Sequence, residues 1–222
     1  MDKRALLVGM PAYNEGKTIA HVINHIKSQG YPNVLVVNDG SKDDTALKAR
    51  AAGAIVVSHP INRGAGAATL TALMYARTHT TYSHLILLDS DGQHDPKDIE
   101  RLMAYGASYD VVIGSRLLTS KHMPLQRRIA NIFGSFITWL FFGLYVYDSQ
   151  SGFKVFNRHA LNKINFIADK FEFCSEVIGE IEKHKLKVKE VPIKVIYTGE
   201  SIRKGQNILN GFRMIRRFLL NY

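Results

Sequence analysis

The chain has 222 residues, 46% of them hydrophobic and 22% charged, with 17 Gly and 6 Pro. These are proportions of a globular domain with a sizeable core, and they exclude a disordered, collagen-like or low-complexity chain. Lys and Arg number 29 against 19 Asp and Glu, a net charge of +10 that favours phosphates, nucleic acid or an anionic membrane face as partners. The single cysteine, Cys174, excludes an intramolecular disulfide and a Cys-rich zinc site, and fits a reducing compartment.

At the N-terminus the apolar run Ala5–Met10 is too short for a secretory h-region, so no cleaved signal is expected. Predicted strands follow at Ala5–Met10, Asn33–Asn38, Ala54–Ser58, His84–Asp89 and Asp110–Gly114. Between them, Ile19, Val22, Ile23 and Ile26, and later Leu70, Leu73 and Met74, recur at helical spacing. Strands alternating with helices predict an α/β fold with a mostly parallel central sheet and helices on both faces. Ligands of such sheets bind beyond the carboxyl ends of the strands. There the chain places Pro11-Ala12-Tyr13-Asn14-Glu15, Asn38-Asp39-Gly40-Ser41 and Asp89-Ser90-Asp91-Gly92-Gln93-His94.

The second half opens with an uncharged stretch, Ile129 to Tyr147, long enough to span a bilayer. A span would put Gly152-Phe153-Lys154 and Glu172 on the opposite side from Asp91. A helical pair packed on the core or lying on a membrane surface is expected instead, with Arg127 and Arg128 as a positive flank for anionic headgroups. A helix is predicted over Phe171–Lys185, with Glu172 and Glu176 on one face, and a strand over Lys187–Tyr197. In the tail, Ile208, Leu209, Phe212, Ile215 and Leu219 form an apolar stripe among Arg203, Lys204, Arg213, Arg216 and Arg217. That pattern reads as a basic amphipathic helix for a membrane surface or for the core.

Asp89 and Asp91 end a predicted strand, where positions i and i+2 point the same way. Two carboxylates facing one space repel unless a cation sits between them, and oxygen ligands of this kind suit Mg²⁺ or Mn²⁺. Gln93 continues the alternation as a neutral oxygen donor. A bare D-x-D is also an ordinary turn, and the surrounding motifs decide between the two.

Those motifs are Pro11 to Glu15, Val37-Asn38-Asp39-Gly40-Ser41-Lys42-Asp43-Asp44-Thr45, Asn62-Arg63-Gly64 and Asp89 to His94. In this order they resemble the inverting family 2 glycosyltransferases of GT-A fold over about the first 155 residues. Gly114-Ser115-Arg116, Asp148 to Lys154, Val191-Pro192-Ile193 and Gly199-Glu200-Ser201 make the chain most similar to the dolichyl- or polyprenyl-phosphate sugar synthases. It departs from them at Tyr197-Thr198, where those enzymes carry an arginine, and in lacking the transmembrane helices of some members, which implies peripheral attachment.

The resemblance implies that Pro11, Tyr13, Glu15 and Asp39 hold the nucleoside, with Arg63 near the nucleotide. It further implies that Asp89, Asp91 and Gln93 engage a divalent metal, Mg²⁺ or Mn²⁺, and the diphosphate. A lipid phosphate acceptor has its second pKa near ~6 and arrives anionic, so it needs no general base; Arg116 and Arg127 are the candidates to grip it. Glu172 is the candidate acid beside a hydroxyl acceptor. The expected organisation is one GT-A catalytic domain over 1–222. Within it, 1–120 forms the nucleotide-sugar and metal half, 121–200 the acceptor half and 201–222 the basic helix. Expected partners are a GDP- or UDP-linked sugar, a polyprenyl phosphate or alternatively a glycan hydroxyl, an anionic membrane surface at its cytoplasmic face, and a membrane-anchored subunit or second copy.

Three rival readings fit less well. A nicotinamide enzyme would use Gly64-Ala65-Gly66, but five residues intervene after the strand and Thr69 stands where a third glycine belongs. No zinc-finger, RNA-recognition or basic-zipper pattern accompanies the positive charge, so no nucleic-acid partner is expected. His21 and His25 lack the H-E-x-x-H context of a metal site, and no Walker A loop is present.

Overall fold

The computed structural model describes residues 2–119, 123–167, 169 and 172–196. The predicted tail helix over 201–222 and the Gly199-Glu200-Ser201 motif lie outside the described residues. In chain order the elements are β1 (Leu6–Ala12), α1 (Ile19–Ser28), β2 (Val34–Asn38), α2 (Thr45–Ala51), β3 (Ile55–Ser58), α3 (Ala65–Thr78) and β4 (His84–Leu87). They continue with α4 (Asp98–Met103), β5 (Val111–Ser115), α5 (Leu125–Phe142), β6 (Lys154–Asn157), α6 (Arg158–Lys163), α7 (Phe173–Lys183) and β7 (Val188–Pro192).

The strands form one seven-stranded sheet in the order β3-β2-β1-β4-β6-β5-β7. Its pairings are parallel except where β6 inserts antiparallel between β4 and β5. The side-chain period of two splits each strand between two cores. Leu7, Leu35, Leu85 and Val111 pack under α3, α6 and α7, whereas Leu6, Val8, Val34 and Ile86 pack under α1 and α4. The expected α/β architecture, mostly parallel with helices on both faces, is therefore the observed one.

Strand β6 has no counterpart among the predicted elements, because four residues headed by a lysine carry no apolar run. Lys154 is the register partner of both Leu87 and Ile113. The loop 148–153 consequently meets the sheet at the carboxyl ends of β4 and β5, where ligands bind. One further boundary differs. Strand β4 ends at Leu87 rather than Asp89, since the chain turns through Gly92 at φ +76°.

The uncharged stretch forms one helix rather than a pair. It begins after Pro124 and stops at Gly143, which adopts a left-handed φ of +79° that glycine tolerates best. Helix α5 is buried along Asn131, Gly134, Ser135, Ile137 and Thr138, and exposes Leu125, Ile129, Ile132, Phe133, Phe136, Trp139 and Leu140. Its small and polar side faces the protein: Thr138 and Ser175 of α7 share a hydrogen bond of 2.7 Å. Gly179 leaves the room that Phe142 needs, a Cβ there falling 2.4 Å from the ring. Among the described residues no helix is long and apolar enough to cross a membrane.

Candidate active site

The loops after β1 and β2 are stitched together by side chains that accept backbone hydrogen bonds. Ser41 Oγ accepts from Asn14 N at 2.9 Å, Thr45 Oγ1 from Glu15 N at 2.8 Å, and Asn14 Oδ1 from Lys42 N at 2.8 Å. Asn14 is held at φ +54°, a left-handed conformation that Asn accepts more readily than most residues. Gly40 is required here, since a Cβ would fall 2.4 Å from the backbone of Ile61. Turn chemistry thus presents Pro11 and Tyr13 on one side of a slot, with Asn62 and Gly64 on the other, while Glu15 lines the adjoining cavity.

Asp39 closes that slot from within. Its buried carboxylate accepts from His59 Nδ1 at 2.7 Å and Arg63 N at 3.0 Å on one oxygen, and from Gly64 N at 2.7 Å on the other. A carboxylate offers about four lone-pair sites, so the residue expected to receive a base is already engaged by its own protein. His59 Nε2 in turn meets Thr71 Oγ1 at 2.9 Å, tying the slot to α3.

Asp89 and Asp91 converge on one cavity, though through the turn after β4 and not through strand alternation. Asp91 Oδ1 accepts from Gln93 N at 2.9 Å, and the Gln93 amide nitrogen donates to Oδ2. Both carboxyls are raised above the ordinary range. For Asp91 the causes are loss of water and then the charge of Asp89. For Asp89 desolvation outweighs the opposing charges of Arg116 and Lys154. Asp89 lies directly over Gly152, where a Cβ would sit 2.2 Å from one carboxylate oxygen and 2.5 Å from the other. Buried His94 stands 3.6 Å from Asp89 Oδ2, and burial pulls its imidazole down to about 4.

The same cavity is lined by Arg116, which belongs to an ion pair of different character. Arg116 donates to Asp148 through Nε at 2.8 Å and Nη2 at 2.7 Å, and its backbone N adds a third bond at 2.8 Å. Asp148 is fully buried; burial alone would raise its carboxyl, but the Arg116 charge and hydrogen bonds hold it below the usual range. Glu190 of β7 accepts from Tyr147 N and Asp148 N at 2.8 and 2.9 Å, which fixes the loop that carries Asp148. Lys154, 1% exposed, donates to the carbonyls of Ser149 and Ser151 and lies beneath the cavity as a buried cation.

Of the residues picked out in the sequence, Pro11, Tyr13, Glu15, Asp89, Asp91, Gln93, Arg116 and Arg127 line one cavity of about 320 Å³. A second space of about 320 Å³, bounded by Pro11, Ala12, Tyr13, Asp39, Asn62 and Gly64, adjoins it. Two of the expected residues stand outside these spaces. Arg63 lines neither space: it is exposed, with Nη2 3.8 Å from Asp169. Glu172 is buried at the N-cap of α7, while its neighbours Phe173 and Cys174 reach the cavity. Glu176, four residues on, accepts from Ile167 N at 2.9 Å. Arg116 lines the cavity, but its fork is committed to Asp148, so it supplies charge more than an open grip.

Sequence reasoning missed Lys154, Asn131 and Gln150. Asn131 and Gln150 face the cavity from α5 and from the loop before β6. Lys154 and Gln150 stood within the Asp148 to Lys154 motif, but the motif by itself gave neither a role. The cavity brings the paired carboxylates together with Arg116 and Arg127, so a cation and a di-anionic group can share it. Among the described residues no group of three or more His, Cys, Asp or Glu forms a metal cage, so a divalent cation here would draw its remaining oxygens from ligand and water.

A mostly parallel sheet with an acidic turn and a divided cavity at its carboxyl end defines a GT-A α/β enzyme. The same fold occurs in glucosyl-3-phosphoglycerate synthase from Mycobacterium tuberculosis crystallised with Mn²⁺, UDP and phosphoglyceric acid. The TM-score is 0.73 at 20% identity, covering 97% of this chain and 76% of that one. The glycosyl transferase family 2 profile matches residues 7–165, and the chain belongs to that family and is a glycosyltransferase. Its relatives include a UDP-N-acetylglucosamine–dolichyl-phosphate N-acetylglucosaminyltransferase of Methanococcus voltae, 37% identical over 99% of this chain and 96% of that protein. A polyprenol monophosphomannose synthase of Mycolicibacterium smegmatis is 30% identical over 91% of this chain and 82% of that protein. An uncharacterized protein of Methanocaldococcus jannaschii, MJ1222, is 40% identical over 99% of this chain and 93% of that protein.

Proposed function

We propose that the chain is one catalytic domain that moves a single sugar, with inversion, from a GDP- or UDP-linked donor onto a polyprenyl phosphate, in a reaction dependent on Mg²⁺ or Mn²⁺. The observation that carries this reading is the Asp89 and Asp91 pair, two carboxyls of raised pKa turned into one cavity that Arg116 and Arg127 also line. A divalent cation would neutralise charge on the leaving diphosphate. Asp89 and Asp91, with Gln93 beside them, would hold it, while Pro11, Tyr13, Glu15 and Asp39 frame the nucleoside in the adjoining slot. Arg63 would reach the nucleotide only by leaving Asp169.

The acceptor side fits a phosphate. Arg127 and Asn131 enter the cavity from α5, whose other face exposes Leu125, Ile129, Ile132 and Phe133. A lipid phosphate can therefore place its head among cations and its tail along an apolar helix. Apolar patches of this kind mark interaction surfaces. We infer that α5 lies on an anionic membrane at its cytoplasmic side, as a peripheral contact. A phosphate nucleophile needs no general base, which agrees with Glu172 standing off the cavity. The relatives named for dolichyl and polyprenol phosphate acceptors support the same choice over a glycan hydroxyl.

The test is incubation with a panel of labelled GDP- and UDP-sugars, polyprenyl phosphate and Mn²⁺, followed by extraction into organic solvent. Label in the organic phase that EDTA abolishes is the expected result. Label confined to water-soluble glycans would overturn the lipid acceptor. For the membrane contact, flotation with anionic vesicles at low salt should carry the protein, and Ile132→Ser with Phe133→Ser should lower the bound fraction severalfold; equal flotation would remove α5 from the contact.

A further inference from the structure

His94 follows the acidic turn and lines the same cavity as Asp89 and Asp91. The ring is 4% exposed and packs beside Phe153, with centroids 5.3 Å apart. Its backbone is held as firmly: His94 bridges Val195, and Ile196 N donates to Gln93 O at 2.8 Å. Ring and backbone are thus both fixed, yet among the described residues Nδ1 is buried without a hydrogen-bond partner. Such an atom is costly unless another state of the molecule satisfies it.

Among the described residues the nearest acidic oxygen to that nitrogen is Asp89 Oδ2, at 3.6 Å, just beyond hydrogen-bond range. Of the two groups Asp89 is the one able to move. Its side chain is 44% exposed, and it rests on Gly152, which offers no Cβ to hold it. A carboxylate that binds a cation through one oxygen is set in orientation by what the other oxygen accepts.

We propose that His94 is a positioning residue for Asp89: its Nδ1–H donates to Oδ2 when a divalent cation and nucleoside diphosphate occupy the cavity, and so aims the remaining oxygen at the cation. This rests on the metal-dependent reading above. Two substitutions separate the donor from the packing. His94→Phe keeps a ring against Phe153 and removes the N–H, whereas His94→Asn keeps an N–H near the Nδ1 position and removes the ring.

Mn²⁺ binding is read directly from the paramagnetic resonance signal of the free ion, with UDP and in parallel with GDP. His94→Phe should bind Mn²⁺ about 10–100-fold more weakly, and His94→Asn within roughly threefold of the wild type. The metal-free His94→Phe protein should melt at or above the wild-type temperature, because a buried unpaired nitrogen is gone. Wild-type Mn²⁺ affinity in His94→Phe, or equal weakening in both variants, would overturn the role of His94 and leave the metal reading standing. A wild-type protein that takes up no Mn²⁺ with either nucleotide would overturn both.

Discussion

Asp148 and the Asp89/Asp91 pair stand at the same end of the sheet, a few residues from β6 and β4, yet their carboxyls are pushed in opposite directions. Asp148 is the more deeply buried and is nonetheless held low, because Arg116 meets it with a bidentate fork and a backbone N–H. Asp91 is held high by lost water and by Asp89. Burial therefore does not decide the sign; partners do. One acidic group is complete within the fold, and the other is left for something that arrives.

The contrast makes graded predictions. Asp91→Ala should lower sugar transfer by roughly 10³-fold, the scale of removing one group that stabilises the departing charge. It should leave the metal-free melting temperature unchanged or raised, since a like-charge repulsion is relieved; a clear drop in melting temperature would make Asp91 a structural residue like Asp148. Mn²⁺ with nucleotide should raise the wild-type melting temperature and leave that of Asp91→Ala unmoved.

Asp148→Asn should do the reverse, costing about 3 kcal/mol in urea unfolding because Arg116 loses a buried counter-charge. The Asp148 carboxyl lies below its ordinary value of about 3.9. Its contribution is therefore complete above that pH and is lost as pH falls through the lower folded value. The gap between wild type and Asp148→Asn should close in that acid window. A gap that persists there would show that the loss comes from packing.

Gly152→Ala should weaken Mn²⁺ binding about tenfold, since its Cβ would displace the Asp89 carboxylate and disturb a metal ligand; an unchanged Mn²⁺ titration would mean that Asp89 does not need that seat. The smallest effect is expected from Glu190→Gln, which retains one oxygen acceptor for the two N–H groups of Tyr147 and Asp148. It should cost about 1 kcal/mol of stability, measured by urea unfolding, with transfer nearly unaffected.

Strand and helix order in the first half was legible because continuous apolar runs mark strands buried on both faces and segments of period 3.6 mark the helices between them. The D-x-D turn, the Pro11–Glu15 loop and the Asp39–Thr45 loop were legible as motifs, since their turn chemistry is local. Four features were not. Strand β6 pairs through backbone in a four-residue segment whose side-chain pattern is too short to read. Helix α5 reads as a continuous apolar stretch, and only its packing on α7 shows that the small polar side faces inward. Arg116 looks like an open phosphate grip until Asp148, thirty-two positions later, is seen to occupy its fork. Glu172 looks like an exposed acid until the start of α7 places it inside the protein.

Local periodicity and turn-forming residues were thus enough for the α/β class and for where along the chain the acidic and nucleoside loops fall. Which of those side chains share one cavity was decided by the antiparallel insertion of β6, which returns loop 148–153 to the carboxyl ends of β4 and β5. Which charges are satisfied was decided there too. The reason is physical: hydrogen-bonded partners and loss of water are set by residues distant in sequence, and no periodicity in the chain encodes them.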